Sequence, residues 1–262
     1  MITGKEIRRI ILQQSRRANV GHIGSALSIA DVVAAIYSGV MSHPAGHHDD
    51  RDRFILSKGH ASLALYAALY LSGRMDKQSL DTYCGDDSWV GVHPERSLNG
   101  VDFSTGSLGQ GLSFGTGAAL AARWLGSTRR VLVLLSDAEC NEGSVWEAAM
   151  FGAHHRLSNL TAIIDLNGQQ AFGYTRDVIA IANMAERWTA FGWEVHEVDG
   201  HEENSLRQLL SARSENGLPR MILARTTFGK GVSYMEGQIR WHYLPMSASE
   251  FEQAITEVEN GP

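Results

Sequence analysis

The chain has 262 residues, 44% of them apolar, which is enough for one large domain or two small ones around a buried core. Its formal net charge of −6, with no dense basic patch, argues against nucleic acid as the main partner. The only cysteines, Cys84 and Cys140, form no C-x-x-C pair, which excludes a disulfide framework or zinc knuckle and fits a reducing, cytoplasmic setting. No run reaches the ~18 apolar residues of a membrane-spanning helix. The basic N-terminal stretch lacks a signal-peptide apolar core, so neither a membrane nor export is expected.

Residues 3–19 predict a helix with an apolar stripe at Ile7, Ile10 and Ile11, broken by Gly21-His22-Ile23-Gly24-Ser25. Ser28 is placed to N-cap a helix running to about Met41, with Asp31 completing a capping box. Residues 42–52 form a polar loop. Its His43, His47 and His48 read as solvated side chains rather than metal ligands, because no ordered scaffold or carboxylate geometry accompanies them. Residues 54–56 predict a short strand, Ser57-Lys58-Gly59-His60 a turn, and residues 61–72 an Ala- and Leu-rich helix ending at Gly73. Asp76 opens another short helix. Residues 89–95 (WVGVHPE) form a loop in which Pro94 fixes the backbone after His93. The Gly-rich stretch 105–111 (TGSLGQG) leads into a small-residue helix through Leu125. Its glycines imply close backbone approach, either to a ligand or to another helix.

The apolar run 131–135 (VLVLL) predicts a fully buried strand, with Asp137 at its carboxyl end. Residues 143–155 carry apolar side chains at helical spacing, residues 160–165 (LTAIID) predict a second buried strand, and Asn167 follows it. A βαβ crossover makes such strands parallel, so Asp137 and Asn167 fall on one sheet edge, where ligands of open α/β sheets bind. An Asp beside an Asn suits a hard divalent cation such as Mg2+, held by oxygens and shared with a phosphate. Asp137 can equally cap the following helix and Asn167 can turn with Gly168; the spacing leaves both readings open.

Residues 175–178 begin a connection into a helix near 183–192. Strands are then predicted at 193–198 and 219–225, with a helix at 205–213 between them and the loop TTFGKG (226–231) at the carboxyl end of the second. Phe251 and Ile255 lie on a terminal helix. Strands alternating with helices predict an α/β fold, a mostly parallel sheet with helices on both faces. His22, His60 and His93 all sit in Gly- or Pro-bearing turns outside the apolar stripes. Gathered at one site, their imidazoles could donate, accept or hold phosphate. Gly229-Lys230-Gly231 lacks Walker spacing, and no G-x-G-x-x-G stands at a strand-to-helix junction.

Several of these stretches, in order, resemble the N-terminal, diphosphate-binding half of transketolases, and in particular the separate subunit of split transketolases. They are Gly21-His22-Ile23-Gly24, Ser57-Lys58-Gly59-His60-Ala61, Gly91-Val92-His93-Pro94-Glu95 and Gly106-Ser107-Leu108-Gly109-Gln110-Gly111. Residues 137–149, Asp165-Leu166-Asn167-Gly168, Gly229-Lys230-Gly231-Val232-Ser233 and Trp241-His242 complete the match over nearly the whole chain. The resemblance implies a thiamine-diphosphate-binding fold, thiamine diphosphate as cofactor and Mg2+ as its anchor. It implies Asp137, Asn167 and the Gln169 carbonyl as metal ligands. His60, His242, Gly106, Ser107, Leu108 and Ala138 would meet the cofactor. His22, His60 and His93 would serve substrate hydroxyls and proton transfer, and Glu142 would couple to a partner subunit's catalytic glutamate. Asp165 would support the loop.

The family's pyrimidine-binding and C-terminal domains have no counterpart here. The resemblance therefore implies that residues 1–262 are a single diphosphate-binding domain, self-associating through that domain and active only with a separate pyrimidine-binding subunit, in an α2β2 complex. The reaction implied is transfer of a two-carbon ketol unit from a ketose to an aldose, with a sugar or sugar phosphate as substrate. The alternatives are a 2-oxo acid dehydrogenase or deoxyxylulose-phosphate synthase component, against which the three histidines weigh, and an inactive scaffold or regulatory subunit. The scaffold alternative rests on one departure: where the family usually has Gly-Asp-Gly, this chain has Ser136-Asp137-Ala138. Ala138 keeps its N–H for the diphosphate but loses glycine's freedom, and Ser136 adds a side chain; metal binding is expected to survive, with weakened affinity or altered geometry left open.

Overall fold

The computed structural model describes residues 1–42 and 50–261. In chain order, α1 (Gly4–Ala18), α2 (Ile23–Ser28) and α3 (Ala30–Ala35) precede β1 (Arg53–Leu56). Then come α4 (Ser62–Leu71), α5 (Lys77–Leu80), α6 (Gln110–Trp124), β2 (Val131–Ser136), α7 (Gly143–His154) and β3 (Leu160–Leu166). A small hairpin, β4 (Gln169–Gln170) and β5 (Gly173–Tyr174), leads through α8 (Thr175–Val178) and α9 (Met184–Ala190) to β6 (Glu194–Asp199). The chain closes with α10 (Glu203–Ser211), β7 (Arg220–Arg225) and α11 (Ala248–Asn260). The loop expectation for His43, His47 and His48 lies outside the described residues.

The main sheet has the order β1-β2-β3-β7-β6, and every pairing in it is parallel. Both faces are covered, as continuous apolar strands require. Side chains alternate across the sheet with period two. Leu132, Leu134, Ile163, Ile222 and Ala224 point into the core shared with α1, α3 and α4, while Val131, Val133, Leu135, Ile164 and Leu223 point into the one shared with α6, α7 and α9.

Most sequence-based boundaries fall within one or two residues of the observed ones. The departures have local causes. The helix expected after an N-cap at Ser28 starts at Ala30 with Ile29 at its N-cap, and a separate short helix, Ile23–Ser28, ends where the cap was expected. Ser28 is fully buried, and its hydroxyl donates to Asp165 rather than capping a helix. Past Ala35 the chain widens into a π turn over Ile36–Val40, with Gly39 at φ 102°. The hairpin β4–β5 is too short to leave a periodic trace in the sequence.

The Gly-rich stretch resolves residue by residue. A Cβ on Gly115 would stand 2.5 Å from Val133 Cγ2, so this glycine lets α6 lie against β2. A Cβ on Gly111 would meet Ser57 Cβ at 2.4 Å, and one on Gly106 the His93 ring at 3.0 Å. Gly117, on the same helix, has nothing within 4 Å of its Cβ position. Close approach therefore serves helix–strand packing at one end of the stretch and the histidine cluster at the other.

Two substitutions on this helix check the reading. Gly115→Ala should destabilise by about 1–3 kcal/mol through overpacking. Gly117→Ala should stabilise by about 0.5–1 kcal/mol through helix propensity. Urea unfolding of the two variants should move in opposite directions.

Candidate active site

The carboxyl ends of the strands carry the chemistry-bearing residues. Ser57-Lys58-Gly59-His60 follows β1, Asp137 follows β2, Asn167 follows β3 and Thr226 follows β7. Beneath this edge lies Asp165, with no exposed surface. Its carboxylate pairs with Lys58, a lysine that is itself 1% exposed. It also accepts hydrogen bonds from Ser28 (2.7 Å), Thr226 and Asn167 Nδ2 (2.9 Å). A buried charge persists only when paired and hydrogen-bonded, and Asp165 is both. Its four partners come from α2, the turn after β1, the loop after β7 and the turn after β3, so this one group registers the whole edge. From the far side, Arg8 makes a bidentate pair with Asp31. Asp31 accepts from His201 Nδ1 (2.7 Å), whose Nε2 accepts the Thr227 N–H (2.8 Å) and so fixes the loop after β7.

Above Asp165 a cavity of about 430 Å³ opens at the sheet edge. His22, His60, His93 and His242 all line it. Three form a triangle: His22 to His60 is 5.5 Å between ring centroids, His22 to His242 is 5.1 Å and His60 to His242 is 5.4 Å. Crowding and burial keep them neutral. Desolvation, then the Lys58 charge and the neighbouring imidazoles, holds His60 well below its ordinary value. Desolvation, followed by His22 and Lys58, lowers His242 to about 4, and desolvation with His93 lowers His22. A neutral imidazole offers one donor and one acceptor, which suits hydroxyl groups. His22 Nδ1 is buried and has no hydrogen-bond partner among the described residues. His22 also takes a left-handed backbone (φ 60°, ψ 18°) just before α2. The inversion turns the chain sharply there and costs energy for a non-glycine residue.

Gly106, Leu108, Ala138, Glu142, Asn167 and Gln169 line the same cavity. Glu142 is exposed and stands at the N-cap position of α7 without a side-chain hydrogen bond. Ser107 is exposed and outside the lining. Asp137 is 2% exposed and sits behind the wall, where it borders a second cavity of about 250 Å³ with Gly168 and Thr175. Asp137 Oδ2 accepts the Gly168 N–H (2.8 Å), and Asn167 Oδ1 accepts the Gln169 N–H (2.9 Å). Asp137 is thereby tied across to the turn that carries Asn167. The local roles weighed for them are both realised: Asp137 Oδ1 caps the Ala138 N–H at 2.7 Å, and Asn167 makes an Asx-type turn across Gly168. The Ala138 N–H, expected to face a diphosphate, is held by Asp137.

The backbone of the Ser136-Asp137-Ala138 departure needs no glycine. Asp137 is at φ −61°, Ala138 begins a right-handed 3-10 turn, and neither Ser136 nor Ala138 has a positive φ.

These residues fit a divalent cation with an anionic cofactor. Burial, and then the charge of Asp165, pushes Asp137 up to about 6, a strain that a bound cation would relieve. Lys58 is the one lysine or arginine among the lining residues, and it is committed to Asp165. A diphosphate here would thus need a cation brought with it. Among the described residues no group of three or more His, Cys, Asp or Glu is placed to hold a metal. The available donors are instead one carboxylate, one amide oxygen and a backbone carbonyl, which is Mg2+ rather than Zn2+ chemistry. Buried polar atoms left without partners, Asn141 Oδ1, Gln169 Oε1 and Gln170 Nε2, cluster at the same wall.

Sequence reasoning gave no role to Lys58, Ser28, Glu139 or Thr226 at the site. Each is a polar residue flanking a strand end or helix, and only burial reveals its importance. The apolar rim from Phe172, Val178 and Ile179 was also missed, because its segment has no regular period.

The family described as transketolase, thiamine diphosphate binding domain, matches residues 3–259. One subunit of the apulose-4-phosphate transketolase of Phocaeicola vulgatus is 40% identical over 254 residues, covering 96% of this chain and 90% of its own. The 6-deoxy-6-sulfo-D-fructose transketolase subunit SqwG of a Clostridium species is 38% identical over 258 residues, covering 97% and 94%. The crystal structure of transketolase from Campylobacter jejuni superposes with a TM-score of 0.92 at 29% identity, covering 98% of this chain but only 42% of that one.

Two measurements check the site's electrostatics. His242 should titrate near 4 by NMR of its imidazole protons. Its folded value lies below the unfolded one, so the unfolded chain binds more protons and stability falls as pH drops from about 6.5 toward 4. Wild type should therefore lose stability relative to His242→Asn across that window. Lys58→Met, which strands Asp165, should cost about 3–5 kcal/mol, read by urea unfolding at pH 7.

Proposed function

The chain belongs to the transketolase thiamine diphosphate-binding family, and from that premise we propose that it is the diphosphate-binding subunit of a split transketolase. The two relatives named as transketolase subunits are matched over 90% and 94% of their length, which supports a partner chain carrying the remaining domains. No described helix is long and apolar enough to cross a membrane. The observation that carries the reading is the convergence of four histidines, Asn167 and the 136–142 turn on one cavity at the strands' carboxyl ends. Imidazoles that can pair with hydroxyl groups suit a sugar better than a 2-oxo acid, which supports ketol transfer over the 2-oxo acid reading. The scaffold alternative loses its motive, since the Asp137 turn keeps a right-handed backbone without glycine.

Thiamine diphosphate, when bound, supplies the nucleophilic carbon and electron sink for breaking the bond between a ketose's carbonyl carbon and its neighbour. Asp137, Asn167 and the Gln169 carbonyl would hold Mg2+ and so neutralise the diphosphate. Gly106, which has no Cβ to crowd the His93 ring, would border the cofactor together with Leu108 and Ile179. His22 Nδ1, without a partner among the described residues, would take a substrate hydroxyl. His60 and His93 would accept and return protons at sugar oxygens. Glu142, exposed at the rim, would meet the partner's acid. The named relatives act on a sugar phosphate and a sulfo-sugar, so we assign this chain a sugar phosphate or similarly charged ketose as donor. An α2β2 assembly, paired through the diphosphate domain, follows from the same reading.

Co-purification with the protein encoded beside it should give ketol transfer only with both thiamine diphosphate and Mg2+, and none from this chain alone. Asp137→Ala should lower activity by at least about a hundredfold, with the loss partly offset at high Mg2+ if affinity is what fails. Robust transfer by the isolated chain would contradict the half-enzyme reading.

A further inference from the structure

Ser136 stands where the resembled family usually has glycine, and it is only 5% exposed. Ser136 Oγ accepts the Glu139 N–H (3.1 Å), and the Ser136 N–H is directed at Glu139 Oε2 (3.3 Å). This is the reciprocal S-x-x-E pattern of a capping box, here closed around the single 3-10 turn Ala138–Asn141. The other carboxylate oxygen of Glu139 accepts the Gly109 N–H at 2.7 Å and the Ser57 hydroxyl. The Ser136 N–H, the Gly109 N–H and the Ser57 hydroxyl all converge on this one carboxyl group. Glu139 has no exposed surface, so water cannot replace a lost partner.

Glu139 therefore joins three segments that line the cavity or lie next to it. They are the turn after β1 at Ser57, the Gly-rich loop at Gly109 and the Asp137 turn. Gly109 is bracketed on its other side as well. Ser144 Oγ donates to its carbonyl at 2.9 Å, and a Cβ at this left-handed position (φ 86°) would stand 2.5 Å from Ser144 Oγ and 2.6 Å from Glu142 Cβ. A glycine at 136 could not supply the hydroxyl, and the buried Glu139 N–H would then have no acceptor. What reads in the sequence as a loss at the metal turn adds a bond that the usual motif lacks.

We propose that Ser136 and Glu139 form a side-chain lock that holds the Asp137 turn and the Gly106–Gly111 loop in register for the cofactor before it arrives. Ser136 is thus a positioning residue, acting through Glu139 and not by touching the reacting atoms. Preorganisation of this kind lowers the ordering cost of binding. The inference rests on the thiamine diphosphate reading of the site.

Hydrogen exchange on the cofactor-free full chain tests the lock directly, and calorimetry with thiamine diphosphate and Mg2+ on the co-purified complex tests its consequence. Ser136→Ala removes the hydroxyl and keeps Cβ, and Ser136→Thr restores the hydroxyl. In S136A the Glu139 and Gly109 amides should exchange about tenfold faster and the cofactor should bind about three- to tenfold more weakly, with S136T near wild type in both. Unchanged exchange at Glu139 and Gly109 in S136A would overturn the lock. Faster exchange with unaltered cofactor affinity would overturn its part in preorganisation. A wild-type complex that binds no thiamine diphosphate would sink the functional reading, while the exchange experiment would still decide whether the lock exists.

Discussion

Asp165 is the constraint on which the rest of the site depends. It lies near the end of a strand in the middle of the sheet, has no exposed surface and would be untenable there as a lone charge. Lys58, Ser28, Thr226 and Asn167 are drawn to it because each satisfies part of that demand. The side chains belong to segments as far apart as α2 and the loop after β7. Their convergence sets the floor of the cavity and positions the turn that carries Asn167. Removing the charge pair in favour of apolar groups would relieve the desolvation cost, but it would also dissolve the register among four segments.

Electrostatics in the cavity follow from that floor. Burial first, and then the neighbouring imidazoles and the Lys58 charge beneath them, keep His60 and His242 unprotonated at neutral pH. The same lysine is neutralised by Asp165 and so cannot also serve an anion. Asp137 is left as a buried carboxylate short of positive charge. A site with neutral imidazoles on one wall and an undercompensated carboxylate behind another is poised for a cation-borne anion with hydroxyl-bearing substrate above it. Its apolar rim at Phe172 and Ile179, 87% and 57% exposed, gives the mouth a surface that water covers poorly.

The turn after β2 shows how a motif can be kept by different means. In the sequence, Ser136 and Ala138 read as the loss of two glycines. In the structure neither position needs a left-handed backbone, and Ser136 closes a reciprocal bond with Glu139. Ser28 moves the other way: its spacing to Asp31 fits a capping box, yet the tertiary demand of Asp165 outweighs a helix cap and claims its hydroxyl. Both misreadings come from the same source, since a hydroxyl beside a helix start has several possible partners and local spacing names only the local ones.

The sequence by itself determined the alternation of strands and helices, the burial of VLVLL and LTAIID, and the placing of Asp137 and Asn167 on one edge. Those follow from periodicity and from the handedness of parallel crossovers, which are local or nearly so. The ordered blocks from Gly21 to His242 also carried the family resemblance. The tertiary structure alone decided that His22, His60 and His242 form a triangle, that Asp137 sits behind the cavity wall, and that Lys58 and Glu139 are buried anchors. These depend on contacts between residues far apart in the chain, fixed by how buried charges find partners once the sheet has closed, and no local pattern encodes them.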